Sequence, residues 1–164
     1  MALTKGAAAP ALPLRRTAPA RRGPRAAIDL DVLDGHLGYF VRRLQVWVFQ
    51  DFIRTLAPID VSPAQFSALV VIGANRGLSQ ADLALTLGIE RARMARLLQG
   101  LEERGLIKRL QSSADGRRNT LQLSPAGRTT LARAKALAAQ HESRLAAKLG
   151  AGRHQALIEV LRDF

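Results

Sequence analysis

Ser79-Gln80-Ala81-Asp82-Leu83-Ala84-Leu85-Thr86-Leu87-Gly88 opens the stretch that decides the fold. It reads as a short apolar helix that begins on a serine cap and stops at a glycine. Residues 90–104 follow as a second helix carrying Arg91, Arg93 and Arg96. Next come Gly105-Leu106-Ile107-Lys108-Arg109, then Ala114-Asp115-Gly116-Arg117-Arg118-Asn119, then Thr120-Leu121-Gln122-Leu123. The alternation in Leu121-Gln122-Leu123, with Ile107 to Leu110 opposite, predicts two antiparallel strands joined by a glycine-containing turn. The order is helix, turn, basic helix, then a hairpin tipped with arginine.

Rotating residues 90–104 at 100° per residue gathers Met94, Leu97, Leu98 and Leu101 on one side as a core face. Ala92, Arg93, Arg96 and Gln99 fall on the opposite or flanking sides, with Arg91 at the margin. Such a face suits a DNA major groove: Ala92 permits close approach, Arg93 and Arg96 reach guanine edges or phosphates, and Arg91 reaches backbone. A merely solvated basic face is the other reading. Ser79 and Gln80, at the start of the preceding helix, join the candidate DNA contacts. In the hairpin turn, Asp115 can hold the Arg117 guanidinium extended for a minor groove, with Arg118 beside it. Alternatively Asp-Gly-Arg-Arg-Asn is only a tight turn with solvated arginines. The fold expected is mainly α with a small two-stranded β-wing, a winged helix-turn-helix.

Composition agrees with a DNA partner. Across 164 residues the net charge is +12, which concentrates polyanions around the protein. The length suits one domain, and a 48% hydrophobic but only 4% aromatic composition favours helices. With no cysteine there are no disulfides, thiol sensors or Cys-based zinc sites. His36, His141 and His154 show no ligand spacing and are read as ordinary polar residues, so no metal and no cofactor is expected. No glycine-rich phosphate loop or nucleophile with a histidine partner is visible, and an enzyme is not expected. No apolar run reaches the length of a membrane span and no signal peptide is visible, so a cytoplasmic protein is expected.

Residues 1–27 hold Lys5, Arg15, Arg16, Arg21, Arg22 and Arg25, four prolines and no acid, half of the net charge. A segment so poor in large apolar residues is expected to be a disordered basic arm. A solvated leader, an arm that strengthens DNA binding and an organelle transit peptide all fit its composition. Residues 28–56 read as one long helix with two apolar stripes: Leu30, Leu33, Leu37, Phe40 and Leu44, then Tyr39, Val46, Trp47, Phe49, Ile53 and Leu56. Apolar on two faces, it is expected to be central. Ser62-Pro63-Ala64-Gln65 is a capping box with proline at the first helical position, and Ser79 with Asp82 repeats the device. Ser124-Pro125 opens a long helix with an apolar period from Leu131 to Leu149, and residues 155–162 form a last one.

With these pieces in place the chain resembles the MarR family of bacterial winged-helix transcription regulators, over nearly all of residues 28–164. The resemblance rests on Leu78-Ser79-Gln80-Ala81-Asp82-Leu83-Ala84, Leu101-Glu102-Glu103-Arg104-Gly105-Leu106-Ile107, Asp115-Gly116-Arg117-Arg118 and Leu123-Ser124-Pro125-Ala126-Gly127, in that order and spacing. It implies dimerisation helices in 28–57 and 124–164, a DNA-binding lobe in 62–123, and a homodimer on a pseudo-palindromic double-stranded operator. It further implies a repressor released by a small molecule. Asp115 and Arg117 match the family's wing pair. Where members usually carry Ser and Thr early in the recognition helix this chain has Ala92 and Arg93, so base preferences do not carry over.

By the same resemblance an effector lies between the first two helices and the fifth, where the chain offers Tyr39, Arg42, Arg43, Trp47 and Phe66. Arginine beside aromatics suits an aromatic carboxylate, its charge held bidentately and its ring stacked. An aromatic acid or its coenzyme A thioester is therefore expected, as in members that govern aromatic-compound degradation. The plainer reading makes Trp47 and Phe66 core and the arginines structural. The competing function for the whole chain is a sequence-tolerant architectural DNA-binding protein, which the basic arm and overall charge would also serve.

Overall fold

The computed structural model describes residues 28–111 and 119–163; the arm of residues 1–27 and the wing tip with Asp115, Arg117 and Arg118 lie outside them. The chain falls into two units, Met1–Gly35 and His36–Phe164. In the first, the described part is a 3-10 turn at Asp31–Gly35. The second holds α1 Leu37–Leu56, α2 Pro63–Ala74, α3 Gln80–Thr86, α4 Arg91–Glu103, β1 Ile107–Gln111, β2 Asn119–Leu123, α5 Pro125–Leu149 and α6 Ala151–Leu161.

The first long helix starts at Leu37, nine residues later than the apolar spacing predicts. The Asp29 carboxylate accepts the Asp31 backbone N–H at 2.9 Å, a local turn that competes with helix, and Asp31 stands at φ +48°. The single chain also leaves α1 far from central. Only Leu56 is buried, while Leu37, Phe40, Val41, Phe49 and Ile53 are exposed. The two stripes do not separate into an inner and an outer one: Leu44, Trp47, Phe52 and Leu56 lie on the covered side of α1, while Leu37, Phe40, Val46, Phe49 and Ile53, drawn from both stripes, face outward.

Helix starts follow the caps. Ser62 Oγ accepts from Gln65 N at 3.2 Å, and Gln65 Oε1 accepts from Ser62 N at 2.9 Å, so both halves of the box form. At α3 the device is half made. Ser79 Oγ accepts from Asp82 N, but the shorter Asp82 carboxylate takes the Ser79 hydroxyl at 2.6 Å and not its backbone N–H. Ser124 Oγ caps α5 through Gly127 N and also donates to Gly105 O, tying the start of α5 to the end of α4. The last helix begins at Ala151, a turn before the predicted position.

Strands β1 and β2 pair antiparallel from Ile107↔Leu123 to Gln111↔Asn119. An isolated bridge, Ser79↔Thr120, joins this wing to the chain entering α3. Leu69, Ile72, Leu83, Met94, Leu98, Leu101, Ile107 and Leu121 form one core beneath helices and wing. The same cluster takes in Leu56 of α1 with Leu131 and Ala134 of α5, so the lobe shares one apolar centre with the long helices.

Candidate nucleic-acid interface and effector region

Met94, Leu98 and Leu101 are fully buried, and this fixes the rotation of α4. Arg91, Ala92, Arg93, Arg96 and Gln99 are consequently exposed. Three arginines in the N-terminal half of a helix oppose its dipole, so they do nothing for helix stability. Glu90 offsets part of that cost by capping, its carboxylate accepting from Ala92 N at 3.3 Å. Gln99 Nε2 donates to Glu103 Oε1 at 2.8 Å. The arrangement presents a cationic face with a small residue, Ala92, between two long ones.

Three contacts hold that face in place. At the C-terminus Leu106 N bonds to Leu101 O and Gly105 N to Glu102 O, a closure that needs the φ of +66° found at Gly105. Arg104 donates to the carbonyls of Ile59 and Asp60, anchoring the end of α4 to the turn after α1. Arg109, on β1, donates from Nε to Glu102 Oε2 at 3.0 Å and from Nη1 to Gln80 Oε1 at 2.9 Å. One guanidinium thus joins the wing, the recognition helix and the first turn of α3. Ser79 and Gln80 are half-buried at this junction, and Leu121 N bonds to Leu78 O at 2.8 Å beside it.

The residues read as an effector site divide into groups. Tyr39 and Arg43 meet: Nη1 donates to the phenolic oxygen at 3.4 Å, and the guanidinium stands 5.6 Å from the ring centre. Trp47 takes its cation from α5, with Lys148 Nζ 4.6 Å from the ring centroid. Phe66 packs edge-on against Phe52 at 5.3 Å, partly buried on the core, and Arg42 is exposed.

A polar cluster between α1 and α5 was not anticipated. His141 is 3% exposed, and its Nδ1 lies 2.8 Å from Asp51 Oδ2. Arg144 donates to the same oxygen at 2.8 Å and also to Thr55 Oγ1. These bonds, His141 first and Arg144 second, hold the Asp51 carboxyl down at about 2. His141 also stacks on Phe52 at 4.9 Å, and His154 pairs with Glu142 at 3.1 Å. Each of these two histidines, expected only to be polar, is paired with an acid. For His141 the signal was present: it lies four residues from both Leu137 and Leu145, on the apolar stripe of α5.

A sequence model described as the MarR family matches residues 59–118. A transcriptional regulatory protein for the hcr operon of Thauera aromatica is 35% identical over 147 residues, covering 86% of this chain and 89% of that protein. Among solved structures, the transcriptional repressor CouR bound to a 23-mer DNA duplex is 42% identical, with a TM-score of 0.81 over 84% of this chain and 98% of the other. CouR bound to p-coumaroyl-CoA is likewise 42% identical, at a TM-score of 0.76 over 83% and 96%. No single described helix is long and apolar enough to cross a membrane. With likeness of this extent over the lobe and the helices around it, the chain belongs to the MarR family of winged helix-turn-helix transcriptional regulators.

Proposed function

We propose that the protein is a homodimeric repressor that sits on a pseudo-palindromic operator and leaves it when an aromatic acid, or its coenzyme A thioester, binds. The observation that carries the DNA half is the exposed basic face of α4, placed where arginines cost helix stability and gain phosphates and guanine edges. Ser79, Gln80, Arg91, Ala92, Arg93, Arg96 and Gln99 form the recognition surface, and Asp115, Arg117 and Arg118 extend it at the wing by their match to the family's motif. Two such helices, one per protomer, address half-sites about 10 bp apart. The outward apolar stripe of α1, with Val160 and Leu161 exposed on α6, supplies the dimer face. The chain acts by binding and not by catalysis, in the cytoplasm where its operator lies.

The effector half draws on CouR, whose structure holds p-coumaroyl-CoA. In this chain the Tyr39–Arg43 pair, with Arg42 and Trp47 on the same helix and Lys148 reaching Trp47 from α5, offers cations beside aromatic faces for an acid of that kind. Phe66 lies deeper, in the core. Genes for breaking down aromatic compounds are the regulated targets.

Footprinting on DNA that co-purifies with the protein tests the operator. Protection of one pseudo-palindrome, and a specific-to-nonspecific affinity ratio above ~10³, supports a regulator. Uniform coating of all sequences would establish the architectural alternative instead. Arg93→Ala and Arg96→Ala should each weaken operator binding by about 1–3 kcal/mol. Equal loss on every operator variant makes them backbone contacts.

A further inference from the structure

Behind the wing, the end of α2, strand β2 and the first turns of α5 line an open cleft of about 760 Å³. Its walls combine the apolar side chains of Val70, Leu123 and Leu131 with three cations, Arg76, Arg128 and Lys135. Among the described residues no aspartate or glutamate lines it. None of the α1 residues assigned to the effector, and no residue of α4, takes part.

Arg128 donates from Nη1 to the Leu123 carbonyl at 3.1 Å, which fixes its guanidinium at the end of β2. Lys135 follows seven residues later, two turns along the same face of α5 and about 10 Å away. Arg76 approaches from the turn after α2. Like charges around a cleft whose described lining holds no acid repel one another, and an anion seated among them removes that repulsion. Val70, Leu123 and Leu131 beside the cations favour a molecule with one charged end and one ring over a purely hydrated ion. The volume lies within the range of about 300–1,000 Å³ usual for small-molecule sites.

We propose that this cleft binds a small amphipathic anion, an aromatic carboxylate, with its charge met by Arg76, Arg128 and Lys135 and its ring on Val70, Leu123 and Leu131. The site is separate from the Tyr39–Arg43 region. Its occupant touches the wing strand and the long helix α5 at once, so it can bias the wing if it binds the DNA-free form more tightly. The choice of ligand class rests on the function proposed above; the location does not.

The test uses the full-length protein with labelled leucine and valine methyl groups, titrated with 4-hydroxycinnamate. Saturable shifts at Val70, Leu123 and Leu131 are expected. Arg76→Ala with Lys135→Ala should weaken that binding by about tenfold or more, as loss of charge-assisted hydrogen bonds requires. Ala132→Phe, exposed at the cleft, should block it sterically while the spectrum stays folded. Shifts confined to α1, or no saturable shifts, overturn the site. So does unchanged ligand binding in the double variant with weakened operator binding, since the cations then serve DNA phosphates. Operator release is read separately by mobility shift. Filling of the cleft without release keeps the site and sinks the effector reading, whereas release without cleft shifts does the reverse.

Discussion

At Asp51 one carboxylate oxygen holds His141 and Arg144 of α5 against α1, in a setting where the acid is only 17% exposed. Its pKa in the fold lies at about 2, below the ordinary 3.8. A group depressed on folding contributes stability that is complete above its unfolded pKa and fades as pH falls toward the folded one. Acid unfolding should therefore steepen between pH 3.8 and about 2. Asp51→Asn should cost about 1–3 kcal/mol near neutral pH and flatten that limb. Thermal melts across this window check it, and an unchanged acid limb in the variant would assign the effect elsewhere. Gly127 is constrained differently. A Cβ there would stand 1.9 Å from the Leu106 carbonyl oxygen, which is backbone and cannot step aside. Gly127→Ala should lose about 1–3 kcal/mol or more in urea denaturation, by overpacking. Gly73→Ala, whose nearest atoms are the Leu131 and Leu123 methyls at 2.8 and 2.9 Å, should lose less because side-chain ends can move.

Between elements, Arg109 sets how the wing sits on the recognition helix, through Glu102 on α4 and Gln80 on α3. It acts through those two residues, so Arg109→Ala should weaken operator binding about tenfold while leaving the salt slope near the wild-type value. A direct phosphate contact would reduce the slope by about one. Arg109→Lys should recover little, because one ammonium cannot reproduce the planar fork. A slope change in Arg109→Ala would make Arg109 itself a DNA contact. The rotation of α4 was legible in the sequence because Met94, Leu98 and Leu101 repeat at helical spacing, and the caps at Ser62 and Ser124 mark their helices by local chemistry. The start of α1 was not, since Leu30 and Leu33 continue the apolar period through a segment that Asp29 turns aside. Nor was the pairing of His141 with Asp51, because the two are 90 residues apart and periodicity says which face a residue takes, not what it meets. The cleft behind the wing was hidden for the same reason: the end of α2 meets β2 and α5 there across about 45 residues of chain.

For the whole molecule, release from DNA is a matter of differential affinity. A hundredfold fall in operator affinity needs a coupling of about 2.7 kcal/mol between effector and DNA sites. A partly desolvated arginine–carboxylate pair with an aromatic contact is of that size. The exposed stripe of α1, proposed above as the dimer face, also carries Phe40, whose ring meets Tyr39 edge-on at 5.3 Å, and Tyr39 in turn contacts Arg43. In the proposed dimer an anion drawn to Arg43 would therefore alter side chains at the face between protomers, and a small change there would move two recognition helices relative to one another. Arg43→Ala should leave operator affinity without effector within about twofold, since α4 and its supports are untouched, while raising the effector concentration needed for release by about tenfold. Mobility-shift titrations of wild type and variant with 4-hydroxycinnamate and its coenzyme A thioester decide the matter. A variant that releases like wild type removes Arg43 as anchor and leaves the cations behind the wing to account for the response.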